Sequence, residues 1–396
     1  MALQDETRAL PPHGRAWDGL KAFARSEGAL WFGALTTALF YIFADALTAN
    51  LAVDARTIAL FAWLFATMLW CAFGVVRHAD CLAEILGEPY GTLILTLSVI
   101  VIEVSLISAI MVLGENQPTL ARDTMFAVLM IILNAMVGIA LLLGGLRYGE
   151  QHYNLQGAKA FLAVLVPLSV LTLILPAFTT STERHEYTPA QAVSFAAMTV
   201  ALYAVFLLIQ TVRHKNQFLE PRASAAATRN PLAVDETSHS HGHHALHSVP
   251  YHAVLLLLTM LPVVLLSKKL AAFVDYAIET LQAPDALGGL VVAVLVLAPE
   301  GLGALRAARA DQLQRSVNIL LGSALATISL TVPAVLVIGL VTDRSVELGL
   351  DTVAMVLLLL TLATSALTFT GGSTSILQGA VHLVLFFVFI VLIFNP

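Results

Sequence analysis

Apolar runs of about 20 residues recur along this chain, the length a helix needs to cross the roughly 30 Å hydrocarbon core of a bilayer. Inside lipid no water is present to satisfy backbone N–H and C=O groups, so such runs fold as helices that pair these groups internally. Composition agrees, since 58% of the 396 residues are apolar, 12% are charged and mean hydropathy is +0.85. About eleven spans are predicted, near residues 30–49, 57–76, 90–113, 124–146, 159–179, 190–212, 251–272, 286–305, 316–341, 351–370 and 376–395. The fold class is all-α and polytopic. The seventh span is the least regular, because Pro262, Lys268 and Lys269 interrupt it.

A net charge of −6 says little about a surface that mostly faces lipid, and no basic patch suggests nucleic acid. Charge placement says more. With the N-terminus inward, 14 of the 20 Lys and Arg residues fall on the cytoplasmic side and 6 opposite, so the N-terminus is predicted inside and the C-terminus outside. Residues 1–29 are polar, with Pro11 and Pro12, and read as a cytoplasmic tail without a cleavable signal; the first span directs insertion. Cys71 and Cys81 form no framework and are expected as reduced, structural thiols.

The polar stretch 213–250 holds Pro221, Pro231, an alanine-rich run and a histidine cluster, and reads as a cytoplasmic linker. Setting aside an extra N-terminal helix over 30–56, five spans precede the linker in 57–212 and five follow it in 251–396. Glu103 and Glu300 then occupy the second span of each five. The segments around them align: Gly91 falls on Gly288, Leu93 on Leu290 and Glu88 on Asp285. An odd number of spans separates equivalents, so the halves enter the membrane in opposite directions. That is the arrangement of inverted-repeat transporters, which bind substrate near the midplane where the repeats meet.

From Gly91 to Glu103 is about 18 Å at helical rise, just past the middle of the hydrocarbon. A carboxylate at that depth costs several kcal/mol unless partnered, so it marks an ion or proton path. Pro299 removes a donor beside Glu300 and is expected to break that helix and free carbonyl oxygens; an ordinary kink is the plainer alternative. Asn134 is the strongly polar residue inside the fourth span, and the ninth holds Asn318, Ser323, Thr327, Ser329 and Thr331. Buried groups of this kind need partners, and interhelical hydrogen bonding explains them as well as ion binding does.

The segments GEPYGTLILTLSVIVIEVSLI and LAPEGLGALRAARADQLQRSVNILLGSALATISLTVP, with QTVRH before the linker, resemble the calcium/proton antiporters of the cation/calcium exchanger superfamily. The resemblance covers roughly residues 30–396. It implies two inverted five-helix halves with an extra N-terminal helix, in a bacterial inner membrane, and proton-driven export of calcium, with sodium or potassium handled by some members. No enzymatic step and no cofactor is implied; the cargo is Ca2+ and H+. The two repeat glutamates carry cation and protons in that family and map onto Glu103 and Glu300. The polar position of the following helix maps onto Asn134 and, in the second half, Thr327, beside Gly322 and Ser323.

The residues support the same mechanism physically. Two carboxylates are neutralised equally by a divalent cation or by two protons, whereas the empty, doubly anionic site is costly to move, so exchange between loaded states is favoured. A rival reading rests on His239, His241, His243, His244 and His247, whose imidazoles suit zinc, nickel or copper; a zinc transporter with a sensor loop looks similar. Four ligands at structural-zinc spacing are absent from the segment. An intramembrane enzyme needs a nucleophile or metal triad, and no such motif stands out.

Overall fold

Each predicted span becomes one helix. In a computed structural model, which describes residues 26–48, 51–87, 90–113, 118–182, 186–219, 248–284 and 286–395, the main helices are α1 (Gly28–Ile42), α2 (Ala55–Leu86), α3 (Tyr90–Leu113), α4 (Leu120–Tyr148), α5 (Leu155–Phe178), α6 (Pro189–Arg213), α7 (Val249–Leu281), α8 (Ala286–Arg309), α9 (Leu313–Thr342), α10 (Thr352–Thr368) and α11 (Ile376–Phe394). Eight are long and apolar enough to cross a membrane; α1, α10 and the Thr96–Ser108 part of α3 are shorter apolar stretches. The seventh helix corrects the expectation of an interrupted span. It runs unbroken to Leu281 with Pro262 inside it, and Lys269 extends its ammonium over the Tyr41 ring.

The connections show how the helices alternate. At one end, Tyr148 donates to the Arg309 carbonyl, Gln151 to the Ala308 carbonyl and Asp311, and Asn154 to the Asn216 carbonyl. Residues Gln151–His152 also pair antiparallel with Ser373–Thr374, a two-residue ladder that the sequence reading did not contain. At the other end, the Glu347 amide bonds the Pro118 carbonyl, Glu186 bridges Glu347, and Arg122 reaches the Gly349 carbonyl. Helix α3 therefore ends where α9 ends, and α8 ends where α4 and α6 end. Since α3 and α8 finish at opposite ends, they run in opposite directions.

Helices α4 and α9 form the centre, with 78% and 67% of their most apolar windows buried, while α6 and α11, at 22% and 28%, lie outside. Helix α1 packs on α2 and α7. At its start a buried polar cluster ties the three together: Glu27 Oε2 binds Arg77 and, at 3.1 Å, His78 Nε2, while His78 Nδ1 lies 3.1 Å from His252 Nδ1 and the Tyr251 hydroxyl donates to Glu27 Oε1. Cys71 and Cys81 are both free thiols, and Cys71 donates to the Ala29 carbonyl.

The break expected at Pro299 is not there: α8 stays helical through it. A proline inside a membrane helix leaves one carbonyl without its donor, here that of Leu295, and neighbouring helices let the segment continue. π-Helical turns lie instead elsewhere, in α5 (Val170–Ile174), in α6 (Ile209–Arg213) and in the two helices that follow the glutamate helices. Residues Ile131–Met136 of α4 and Thr327–Thr331 of α9 form π-helical turns. In α9 the cause is legible, because Pro333 denies a donor to the Ser329 carbonyl and crowds it, and a wider turn relieves both. No proline follows the turn in α4.

Candidate functional site

Glu103 on α3 is fully buried, and its Oε2 accepts a hydrogen bond from the Thr327 hydroxyl at 3.0 Å. Glu300 on α8 is partly exposed to a cavity and accepts from the Ser323 hydroxyl. Residues four apart are neighbours on one helix face, roughly 5–6 Å between Cβ atoms. The two carboxylates, from helices of opposite direction, thus meet the same face of α9 one turn apart. Oε1 of Glu103 has no hydrogen-bond partner among the described residues, and neither does the Thr331 hydroxyl, a further turn along that face and close enough to interact with Glu103. A buried carboxylate oxygen without a donor is a place for a proton or a cation.

Close packing sets this geometry. A Cβ on Gly289 would stand 2.5 Å from the Thr124 backbone nitrogen, so only glycine lets α8 lie directly against the backbone of α4. The same contact places Glu300, three turns further along α8, at the centre of the bundle.

A cavity of about 350 Å³ reaches the site, lined by Asp80, Thr96, Glu300, Arg315, Ser323 and Thr327 among others. Asp80, Arg315, Asn318 and Gln210 lie towards the end where α2, α6 and α8 finish, so the cavity runs from that end to the glutamates. A second cavity of about 300 Å³ at the opposite end, between Arg122, Asp123 and Asp351, stops at Ala127 and Leu357 without meeting either glutamate.

Of the residues singled out from sequence, the structure brings together Glu103, Glu300, Ser323 and Thr327. Pro299 lines the cavity beside Glu300. Asn134 lies in the π-helical turn of α4, hydrogen-bonded to Thr361 of α10 and His382 of α11, and makes no hydrogen bond to either glutamate. The helices that follow the glutamates match end for end, Leu120–Tyr148 against Leu313–Thr342, and that register sets Asn134 against Thr327. His239, His241, His243, His244 and His247 lie outside the described residues, as do Glu88 and Asp285. His252, at the end of the histidine-rich stretch, is buried against His78 at the start of α7.

Sequence reading passed over Asp80 and His382. A histidine inside the last apolar run was visible as a signal; Asp80 sits at the polar end of a span, where a charge is ordinary.

A helical membrane bundle in which oppositely directed helices each hold a buried carboxylate on a shared hydroxyl-bearing face defines a polytopic ion transporter. This chain belongs to the sodium/calcium exchanger protein family, which it matches over residues 56–212 and 251–395. It is 38% identical over 368 residues to the sodium-potassium/proton antiporter ChaA of Escherichia coli (strain K12), across 93% of this chain and 96% of that protein. Two solved structures share its fold. Native YfkE matches with a TM-score of 0.69 at 16% identity, over 93% of this chain and 100% of that one. The H+/Ca2+ exchanger CAX matches with a TM-score of 0.61 at 14% identity, over 93% and 89%. The protein is a secondary transporter, not an enzyme.

Proposed function

We propose that this protein moves cation out of the cell in exchange for protons, with Glu103 and Glu300 carrying both in turn. The observation that supports this most is the meeting of two membrane-buried carboxylates on one face of α9, through Ser323 and Thr327. The proposed ligands are these two carboxylates and the two hydroxyls, with water and Asn134 completing the set. Calcium takes six to eight oxygens at 2.3–2.6 Å in flexible geometry, which such a site and its water-accessible cavity suit. Sodium and potassium join calcium as proposed cargo because the 38% identical relative bears them in its name.

Antiport follows from charge. Two protons or one divalent cation neutralise the pair, whereas the bare dianion in a low-dielectric bundle is strongly unfavourable, so the protein changes its facing only when loaded. The cavity is assigned to the cytoplasm because Arg147, Arg213, Lys215, Arg306, Arg309 and Arg315 gather at its end. The N-terminus is then inside, the membrane is the bacterial inner membrane, and cytoplasmic cation meets Asp80 before Glu300. The division into an extra helix and two five-helix halves, 57–212 and 251–396, is retained as part of this proposal. A dedicated zinc carrier is disfavoured by membership of an exchanger family.

The test is flux in everted membrane vesicles under an imposed pH gradient, with calcium, sodium, potassium or zinc added singly. Proton-coupled movement of calcium, sodium or potassium that is lost in Glu103→Gln supports the reading; coupling to zinc alone overturns it.

A further inference from the structure

His382 is fully buried in the middle of α11, in a run that is otherwise apolar, and the exchange mechanism makes no use of it. A buried imidazole in a membrane helix is retained against a cost, so its partners are informative. Nδ1 lies 3.3 Å from Oδ1 of Asn134, and the Leu133 carbonyl also faces the ring. Neither oxygen can donate, so the nitrogen that faces them carries the hydrogen. Nε2 pairs with the Thr368 hydroxyl 2.9 Å away.

Asn134 is consequently clamped at both ends. Its Oδ1 takes the His382 N–H, and its Nδ2 donates to Thr361 Oγ1 at 2.9 Å. Both clamping residues come from the last two helices, α11 and α10, while Asn134 and Leu133 belong to the π-helical turn of α4. That turn has no proline to impose it, unlike its counterpart in α9. In register Asn134 matches Thr327, which donates to Glu103, so the repeat places the Asn134 amide on the Glu300 side of the site.

We infer that His382 is a positioning residue of the exchanger: through Nδ1–H it holds the Asn134 amide and the π-helical turn of α4 in the orientation that serves the cation, with Thr368 holding the other side of the ring. The amide oxygen has a second lone pair, so it can accept from His382 and still face an ion. This deepens the proposed function, because it rests on Asn134 being a cation ligand. A histidine kept only for packing would alter stability and leave cation affinity unchanged.

The experiment measures apparent KM and kcat for calcium, sodium and potassium in everted vesicles for four variants. His382→Leu is expected to raise KM about tenfold or more, the range that partners of ligands commonly command, with kcat within about twofold. His382→Gln keeps an N–H donor and is expected to recover much of the loss. Thr368→Val removes only the partner of Nε2 and is expected to raise KM by less. Asn134→Ala is expected to match His382→Leu, with the double variant no worse than either. If Asn134→Ala raises KM while folded His382→Leu and Thr368→Val keep the parental value, the positioning role is wrong and the ligand reading stands. If Asn134→Ala itself keeps the parental KM, both fail. Should His382→Leu not insert, Thr368→Val decides the matter, and a parental KM there beside a raised KM in Asn134→Ala overturns the inference.

Discussion

Ser323 and Thr327 stand one turn apart on α9, and each holds a different glutamate: Ser323 donates to Glu300, Thr327 to Glu103 across the repeat boundary. One helix face thereby joins two carboxylates that lie far apart in sequence and on helices of opposite direction. Whatever displaces one hydroxyl is felt by both halves.

Neutralising either carboxylate removes the charge that cation and proton share while keeping an oxygen for the hydroxyl. Glu103→Gln and Glu300→Gln are expected to insert and purify like the parent and to abolish exchange. Proton-coupled flux persisting at about half the parental rate in either variant contradicts the site.

The hydroxyls contribute less. A hydrogen bond to a charged group is worth about 1.5–3 kcal/mol, so Thr327→Val or Ser323→Ala should raise the apparent KM by roughly ten- to a hundredfold and leave the protein folded. Kinetics of the two single variants and their combination measure this. Strong non-additivity is expected, because the two residues serve one site.

The histidine-rich stretch over residues 237–247 lies outside both family-matched segments. Its deletion is expected to leave basic antiport unchanged. Loss of flux at normal expression would make it an essential sensor or delivery element.

Glu27 contributes to holding α1 on α2 and α7. Removing one partner of a buried ionic cluster costs about 3–5 kcal/mol, so Glu27→Ala should lower the thermal midpoint in detergent by several degrees, with the exchange site intact in the protein that remains folded.

Much of this was legible in the chain. Eleven apolar runs gave eleven helices because lipid leaves a backbone no other choice. Glu103 and Glu300 stood out because a carboxylate in an apolar run has few structural excuses. What escaped was geometry that depends on neighbours. Pro299 was open between a break and a kink, yet surrounding helices let α8 continue, and π-helical turns fell in α4, α5, α6 and α9. Asn134 stayed open between ion ligand and hydrogen-bond partner because its partners, Thr361 and His382, are more than two hundred residues away. The cross-repeat bond from Thr327 to Glu103 was hidden for the same reason: sequence shows which residues are polar at depth, and only packing shows which of them touch.

The central claim is that protons and cation compete for Glu103 and Glu300. As pH rises, fewer of the site's carboxyls hold protons, so less cation is needed to occupy it. The most direct measurement is the apparent KM for calcium, and for sodium, between about pH 6.5 and 9 in everted vesicles. The account predicts a KM that falls steadily with rising pH while the carboxylates titrate, with the dependence lost in any Glu103 or Glu300 variant that retains flux. A KM that stays flat across that range would mean that protons and cation do not share the glutamates, contradicting the mechanism.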